Sequence, residues 1–398
     1  MKYPVSHFLR GKRLLVGIVI AICLLALGIL WAIPALQRPK PTINNKPAAV
    51  TPVTESRLTI AAMGDMLAHD TIIAGAKTTS GYDFSPYFSH IRPRYKDADL
   101  VFCNQEGPSA GSDYGISGYP SFNAPVEFSQ GLKDGAGCNL INLANNHMGD
   151  GGTDVTSATL DVWANLHPLI VTGANKTPED QQKVSYVDKN GIRLALLAFA
   201  DFNNNTATPG YSVNNYHNEA LVRRLVSEAR KSADLVIVSM HWGTEDSAAV
   251  NDDQRAQVAL LASLGVDIII GTGPHVLQPV ESVKRSDGGT MIVWYSLGNM
   301  LSSQLEAPQL FSGVATMSVT KSKDKTLSVD QLGFLPTYMH YDWSDADAAA
   351  GNLASRTHPM IYPLDEAEPY LARSQLSTTV REQRDYIVRT LGPSVTVK

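Results

Sequence analysis

The sequence predicts an α/β domain of largely parallel strands, carried behind one N-terminal transmembrane helix. Three observations predict it: an uncharged apolar run near the N-terminus, short β-branched runs alternating with helical patterns, and polar residues placed just past the strands.

The first 13 residues hold Lys2, Arg10, Lys12 and Arg13 with no acidic residue, and residues 14–36 then run without a charge. At a helical rise of ~1.5 Å per residue, about 20 residues cross the ~30 Å hydrocarbon core, so this run is long enough to span it. It is too long for a signal-peptide core, and Trp31, Ile33 and Pro34 occupy the exit where small residues would mark cleavage, so the run reads as a retained anchor. Ile22 before Cys23 is too large for lipoprotein processing. The cations precede the span, which leaves residues 1–13 in the cytoplasm and the rest of the chain outside the cell membrane. Residues 37–57 are rich in Pro, Asn and Thr and read as an extended tether.

The folded part is expected over residues 58–334, with residues 335–398 as a C-terminal extension. About 340 residues are enough for one large α/β domain or two small ones. The formal net charge of -5 argues against nucleic acid as a partner. Strands are expected at Leu58 to Met63, Leu100 to Phe102, Asn139 to Leu143, Leu194 to Ala200, Leu235 to Met240, Ile268 to Ile270 and Met291 to Tyr295. Apolar residues spaced by three and four predict helices over Val155 to Asn165, Asn218 to Ala233 and Gln254 to Leu264, and the alternation implies βα units. In the extension a helix is expected over Val380 to Leu391, stopped by Gly392-Pro393. Cys103 and Cys138 are read as buried free thiols: if they mark opposite ends of parallel neighbours they lie ~15 Å apart, beyond the ~7 Å Cα limit for a bridge.

Function is carried by the residues just past each strand. The first strand runs into Gly64-Asp65, the second into Asn104-Gln105-Glu106-Gly107, the third into Asn145-Asn146-His147. Later strands deliver His241-Trp242-Gly243-Thr244-Glu245, Gly271-Thr272-Gly273-Pro274-His275 and Ser296-Leu297-Gly298-Asn299. Ligands of parallel α/β sheets bind at the carboxyl ends of strands, so six segments can converge there. Carboxylates and imidazoles together suit divalent Mn, Fe or Zn, and one carboxylate can bridge two ions, which points to metal-assisted hydrolysis. Serine-hydrolase, P-loop and dinucleotide chemistry lack their defining residues. Each residue alone has a structural reading too: Asp65 as a helix cap, Glu106 as an arginine's partner, Asn145 and Asn146 as turn formers, His147 as a cap. Trp242 reads as a packed aromatic. Five of these segments, those with Asp65, Glu106, Asn145 to His147, His241 and His275, weighed together favour a site.

These motifs, with the GTGPHVLQ run from Gly271 to Gln278, resemble the CapA-type proteins of poly-γ-glutamate capsule biosynthesis, in the calcineurin-like metallophosphoesterase superfamily. The resemblance covers Leu58 to Phe334. It implies a metallophosphoesterase-like two-sheet core flanked by helices and one or two divalent ions. By the same resemblance Asp65 is a metal ligand, Glu106 the bridging one, Asn146 and His241 ligands of the second ion, His275 a ligand of the first, and His147 the catalytic acid. Leu67 and Gly273 stand where the superfamily has two further histidines, and His69, Asn145 and Glu245 are additional candidates. Two functions remain open. One is a metal-dependent hydrolase or transferase acting on an anionic envelope polymer such as poly-γ-glutamate. The other is a non-catalytic subunit that binds metal or polymer beside membrane synthase subunits.

Overall fold

The structure, a computed structural model, describes residues 55–398. The expected cytoplasmic segment, the transmembrane helix and nearly all of the tether lie outside the described residues. Among those described, no helix is long and apolar enough to cross a membrane.

The chain opens with four parallel strands, β1 (Ser56–Leu67), β2 (Leu100–Glu106), β3 (Leu140–Asn142) and β4 (Ile170–Thr172). A second sheet follows, made of β5 (Ser185–Lys189), β6 (Ile192–Ala200), β7 (Leu235–His241), β8 (Ile268–Thr272), β9 (Val280–Lys284) and β10 (Thr290–Trp294), in the order β5-β6-β7-β8-β10-β9. The chain then returns to the first sheet with β11 (Asn299–Leu301), β12 (Phe311–Lys321), β13 (Leu327–Asp342), β14 (Thr357–Pro363) and β15 (Thr396–Val397). That sheet has the order β14-β13-β12-β1-β2-β3-β4, with β11 against β1 and β15 against β13. Every strand expected from sequence is present. The parallel centre is flanked by antiparallel partners that were not expected, because β12, β13 and β14 pair by reversal with β1 and with one another.

Alternation along the second sheet explains its continuous apolar runs. Leu194, Leu196, Ile237, Ile268 and Ile292 face the core shared with Ile60, Ala62 and Phe102 of the first sheet. Ala195, Leu197, Val238, Ile269 and Val293 point the other way, onto Leu221, Leu225 and Val226 of the helix Glu219–Ser232 and Leu261 of the helix Asp252–Ser263. Both faces are covered, so no residue of these strands needs to be polar until the strand ends. Burying each Leu or Ile stabilises by about 1.5–3 kcal/mol, and that holds the strand ends in fixed positions.

Residues 335–398 continue the first sheet through β14 and β15. Their helix Val380–Leu391 starts at a capping box of Thr379 and Glu382, ends at Gly392, and buries Ile387 and Leu391.

The reading of two free thiols is corrected: Cys103 and Cys138 form a disulfide, with Cα atoms 5.8 Å apart. Cys103 lies in the middle of β2 rather than at its end. Cys138 precedes β3, just after the chain turns at Gly137 in the left-handed region, φ 80°, so the two are not separated by a strand length.

Candidate metal centre

The carboxyl ends of β1, β2, β7 and β8 meet between the sheets. At Gly64 the β1 backbone approaches the Gly298 carbonyl so closely that a Cβ would collide with it. The Asp65 amide donates to that same carbonyl at 2.9 Å. The β1–β2 register shifts between Met63 and Asp65, which re-aims the Asp65 side chain into the site. Asn104 donates to Asp65 Oδ1 at 2.7 Å, and the Gly273 amide lies 3.2 and 3.1 Å from its two oxygens. Asn104 is itself held by Asn142, which also donates to Ser239 Oγ.

Glu106 ends β2. Its neighbour Gln105 points to the opposite face, where Trp163 and Ser129 donate to its side-chain oxygen. Glu106 is 1% exposed, and neither of its carboxylate oxygens receives a hydrogen bond. Its Oε1 lies 3.7 Å from His241 Nε2 and 3.8 Å from His275 Nε2. A buried carboxylate with no donor is costly, and a cation placed among these groups removes that cost.

His275 follows β8 in the left-handed region, φ 62°, a strained conformation for a residue with a Cβ. Its Nδ1 lies 3.1 Å from Asp65 Oδ2 and 3.0 Å from Asn299 Oδ1. His241, at the end of β7, is fixed by Thr272 Oγ1 at 3.0 Å from Nδ1, and its Nε2 lies 2.9 Å from Asn146 Oδ1. Ligand atoms of Asp65, Glu106 and His275 lie within 4.8 Å of one another, so this set fits a divalent ion. His241 and Asn146 border the same space.

Without an ion the charges arrange themselves unevenly. Burial pushes the Glu106 carboxyl well above the ordinary carboxylate range, with Asp65, Glu245 and Asp150 adding to the rise and His275 opposing it. Burial also works to raise Asp65, but the hydrogen bond and charge of His275, with the Gly273 amide, hold it below that range. His275 is lifted to about 10, because the carboxylates of Glu106 and Asp65 outweigh its burial. Burial draws His241 down to about 4.

The other predicted residues divide. His147 Nδ1 lies 2.8 Å from Asp150 Oδ2, an oxygen that also accepts from the Phe122 amide, and the Asn204 amide nitrogen is 3.2 Å from the same ring atom. Its Nε2 is left for other work. Asn145 spends its side chain on the backbone, donating to the Gln105 carbonyl and accepting from the Gly107 amide. His69 accepts from the Ser303 amide at 3.3 Å and stacks on the edge of Phe122; burial lowers it to about 3. His69 lies outside the cluster of Asp65, Glu106 and His275. Glu245 is exposed and acts on the centre only through its charge. Trp242 is packed, as expected, donating to the Tyr295 carbonyl.

At Gly273, φ 107°, a Cβ would meet the Trp242 carbonyl at 2.8 Å. An imidazole there is excluded, and the backbone amide serves Asp65 instead. Sequence reasoning missed Asp150 and Asn204, and quoted Asn104 and Asn299 among the strand-end segments without giving either a role. Asp150 was visible as a carboxylate three residues after His147, and Asn204 as part of the Asn203-Asn204-Asn205 run after β6.

A family model described as "Bacterial capsule synthesis protein PGA_cap" matches residues 59–304. The PGA biosynthesis protein CapA of Bacillus subtilis (strain 168) is 30% identical over 239 residues, which cover 57% of this chain and 60% of that protein. The capsule biosynthesis protein CapA of Bacillus anthracis is 30% identical over 271 residues, covering 64% of this chain and 63% of that one. The match thus spans less than two thirds of either relative. Among solved structures, a putative 5'-nucleotidase from Staphylococcus aureus aligns with TM-score 0.44 and 15% identity over 75% of this chain and 58% of its own. The NAD nucleotidase of Haemophilus influenzae aligns with TM-score 0.43 and 12% identity over 87% and 57%.

Proposed function

This chain belongs to the PGA_cap family of bacterial capsule synthesis proteins, and on that premise we propose that it is a metal-dependent hydrolase or transferase acting on an anionic envelope polymer such as poly-γ-glutamate. It works from the outer face of the cytoplasmic membrane, tethered by the apolar run over residues 14–36. The disulfide between Cys103 and Cys138 supports an oxidising compartment. The observation that carries the catalytic reading is Glu106, a buried carboxylate without a hydrogen-bond donor, lying within 4 Å of two imidazoles.

Asp65, Glu106, Asn146, His241 and His275 would hold one or two Mn, Fe or Zn ions. Such ions, when bound, polarise a phosphoryl or carbonyl oxygen and lower the pKa of water. The chain supplies the proton. Asp150 orients His147 through Nδ1, so that Nε2 can give a proton to a leaving oxygen. Phe122 stands edge-on to the His147 ring at 4.7 Å and keeps water from that side. Thr272 fixes His241, and Asn299 together with Asp65 fixes His275, so the ligands are held before an ion arrives.

His147→Ala tests this. The variant keeps its metal content and melting temperature, while cleavage of aryl phosphoesters or poly-γ-glutamate with Mn²⁺ or Zn²⁺ falls by ~10²–10⁴-fold. Leu67 and Gly273, which withhold two imidazoles, favour a second reading as a polymer-binding subunit. A metal-loaded parent that cleaves neither substrate, with His147→Ala supporting polymer production as well as the parent, would establish that one.

A further inference from the structure

A second group of ligand-type side chains lies beyond the end of β6, and the proposed chemistry uses none of it. Asp201, directly after β6, His217 and Asp253 each present one ligand atom, and the three atoms lie within 4.8 Å of one another. They come from three separate stretches of chain. Asp253 stands in the first turn of the helix Asp252–Ser263, whose start is fixed by a capping box of Asn251 and Gln254. His217 is brought opposite Asp201 by a segment that runs alongside the end of β6. There the Ala200 amide donates to the Asn214 carbonyl at 2.8 Å, and the Tyr216 amide donates to the Ala200 carbonyl at 3.0 Å. Asn215 then donates to the Asp201 carbonyl, and His217 Nε2 lies 2.6 Å from Asp201 Oδ1.

The charges of this group do not balance. Among the described residues neither carboxylate is paired with a Lys or Arg, and the ion-pair partner of Asp201 is His217. Both carboxylates draw on the hydroxyl of Tyr216, a residue 1% exposed with one proton to give. It donates to Asp253 Oδ2 at 2.5 Å, and Asp201 competes for it. Two carboxylates held this close, with one imidazole beside them, favour a cation among them.

We propose that Asp201, His217 and Asp253 form a second divalent-ion site, built for a transition ion such as Zn²⁺ or Mn²⁺ and separate from the centre at Asp65. An imidazole beside two carboxylates selects such ions over Ca²⁺ and Mg²⁺, which take oxygen ligands. Three protein ligands leave the remaining positions to water. The His217 side chain is 55% exposed, so the ion exchanges with solvent and the site fills at higher metal concentration than the buried centre. Its place in the fold gives the ion a role. The Asp201 amide donates to the His241 carbonyl at 2.9 Å. Further along the same segment the Asn204 amide donates to the Asn146 carbonyl at 2.8 Å, and the Asn204 side chain lies 3.2 Å from His147 Nδ1. An ion at Asp201 thus ties one end of a segment that borders the centre to the helix Asp252–Ser263.

The test is labelling of His217 by diethylpyrocarbonate, which acylates accessible imidazoles, on the purified full chain stripped with chelator and then given Zn²⁺. Peptide mass spectrometry reads His217 apart from the histidines of the centre. In the parent, Zn²⁺ at about ten times its Kd slows His217 labelling about ten-fold, while His358, 81% exposed and outside the group, labels at an unchanged rate. Asp253→Asn keeps an acceptor for the Tyr216 hydroxyl but loses a charged ligand. At the same Zn²⁺ concentration its protection drops to about two-fold or less, and Asp201→Asn behaves likewise. Equal melting temperatures of the metal-free proteins check that both variants fold. The proposal is overturned if Zn²⁺ leaves His217 labelling in the parent unchanged, or if it protects His217 equally in the variants. It is overturned too if His358 is protected as strongly, or if Ca²⁺ protects as well as Zn²⁺. Metal at the centre is read from Asp65→Ala and His275→Ala, so either site can fail without the other.

Discussion

Glu106→Gln separates a metal ligand from a structural carboxylate. In the metal-free protein the Glu106 carboxyl is pushed towards its neutral form by burial and has no hydrogen bond to lose. Replacing it by a neutral group of the same shape leaves the metal-free melting temperature unchanged or slightly higher. With an ion present the two proteins part. A ligand at 100 times its Kd stabilises the folded state by about 2.7 kcal/mol, which at about 2 °C per kcal/mol for a large domain is about 5 °C. Removing an outer partner of a metal ligand already costs ~10–100-fold in affinity, and Gln at a ligand position loses at least as much. If Kd rises a hundredfold, the same metal concentration gives only about 0.4 kcal/mol, about 1 °C. Differential scanning calorimetry of both proteins, stripped with chelator and then titrated with Mn²⁺ or Zn²⁺, measures all four values. A metal-free Glu106→Gln protein that melts far below the metal-free parent would refute this reasoning, because Glu106 would then have a structural partner. So would a metal-induced rise of equal size in both.

The disulfide between Cys103 and Cys138 closes a separation of 35 residues, and loop-closure entropy assigns it about 4 kcal/mol. Cys103→Ala/Cys138→Ala should therefore melt well below the parent, and non-reducing peptide mapping should recover the linked pair; free thiols in material from an oxidising compartment would contradict the pairing. Gly273→Ala should destabilise by about 1–2 kcal/mol for its left-handed backbone and also weaken metal binding, since relieving the clash of the new Cβ with the Trp242 carbonyl shifts the amide that donates to Asp65. Retention of parental metal affinity, by titration, would show that the backbone absorbs the Cβ without moving that amide. A reporter active only outside the membrane should work when fused after Thr51 and fail after Arg13, and the reverse result overturns the topology.

The centre was legible because its residues sit where apolar strands stop. In β7, six residues are buried against two layers and the seventh is His241; in β8 the run ends a few residues before His275. Such endings are local and need no knowledge of register. The disulfide needed register, since only the pairing of Cys103 with Ile141 sets where the chain before β3 comes in. The antiparallel half was hidden for the same reason: Ser56 pairs with Lys321, and nothing local in either segment announces a partner so distant. The backbone conformation at Gly273 was equally unreadable. The sequence showed a missing histidine, and the structure shows a glycine that a side chain would force out of place.

The claim that most depends on measurement is that Asp65, Glu106 and His275 form a metal centre. Elemental analysis of the chain purified without chelator addresses it directly. The account predicts one or two Mn, Fe or Zn ions per chain, reduced in both Asp65→Ala and His275→Ala; substoichiometric metal, the same in the parent and both variants, would contradict it.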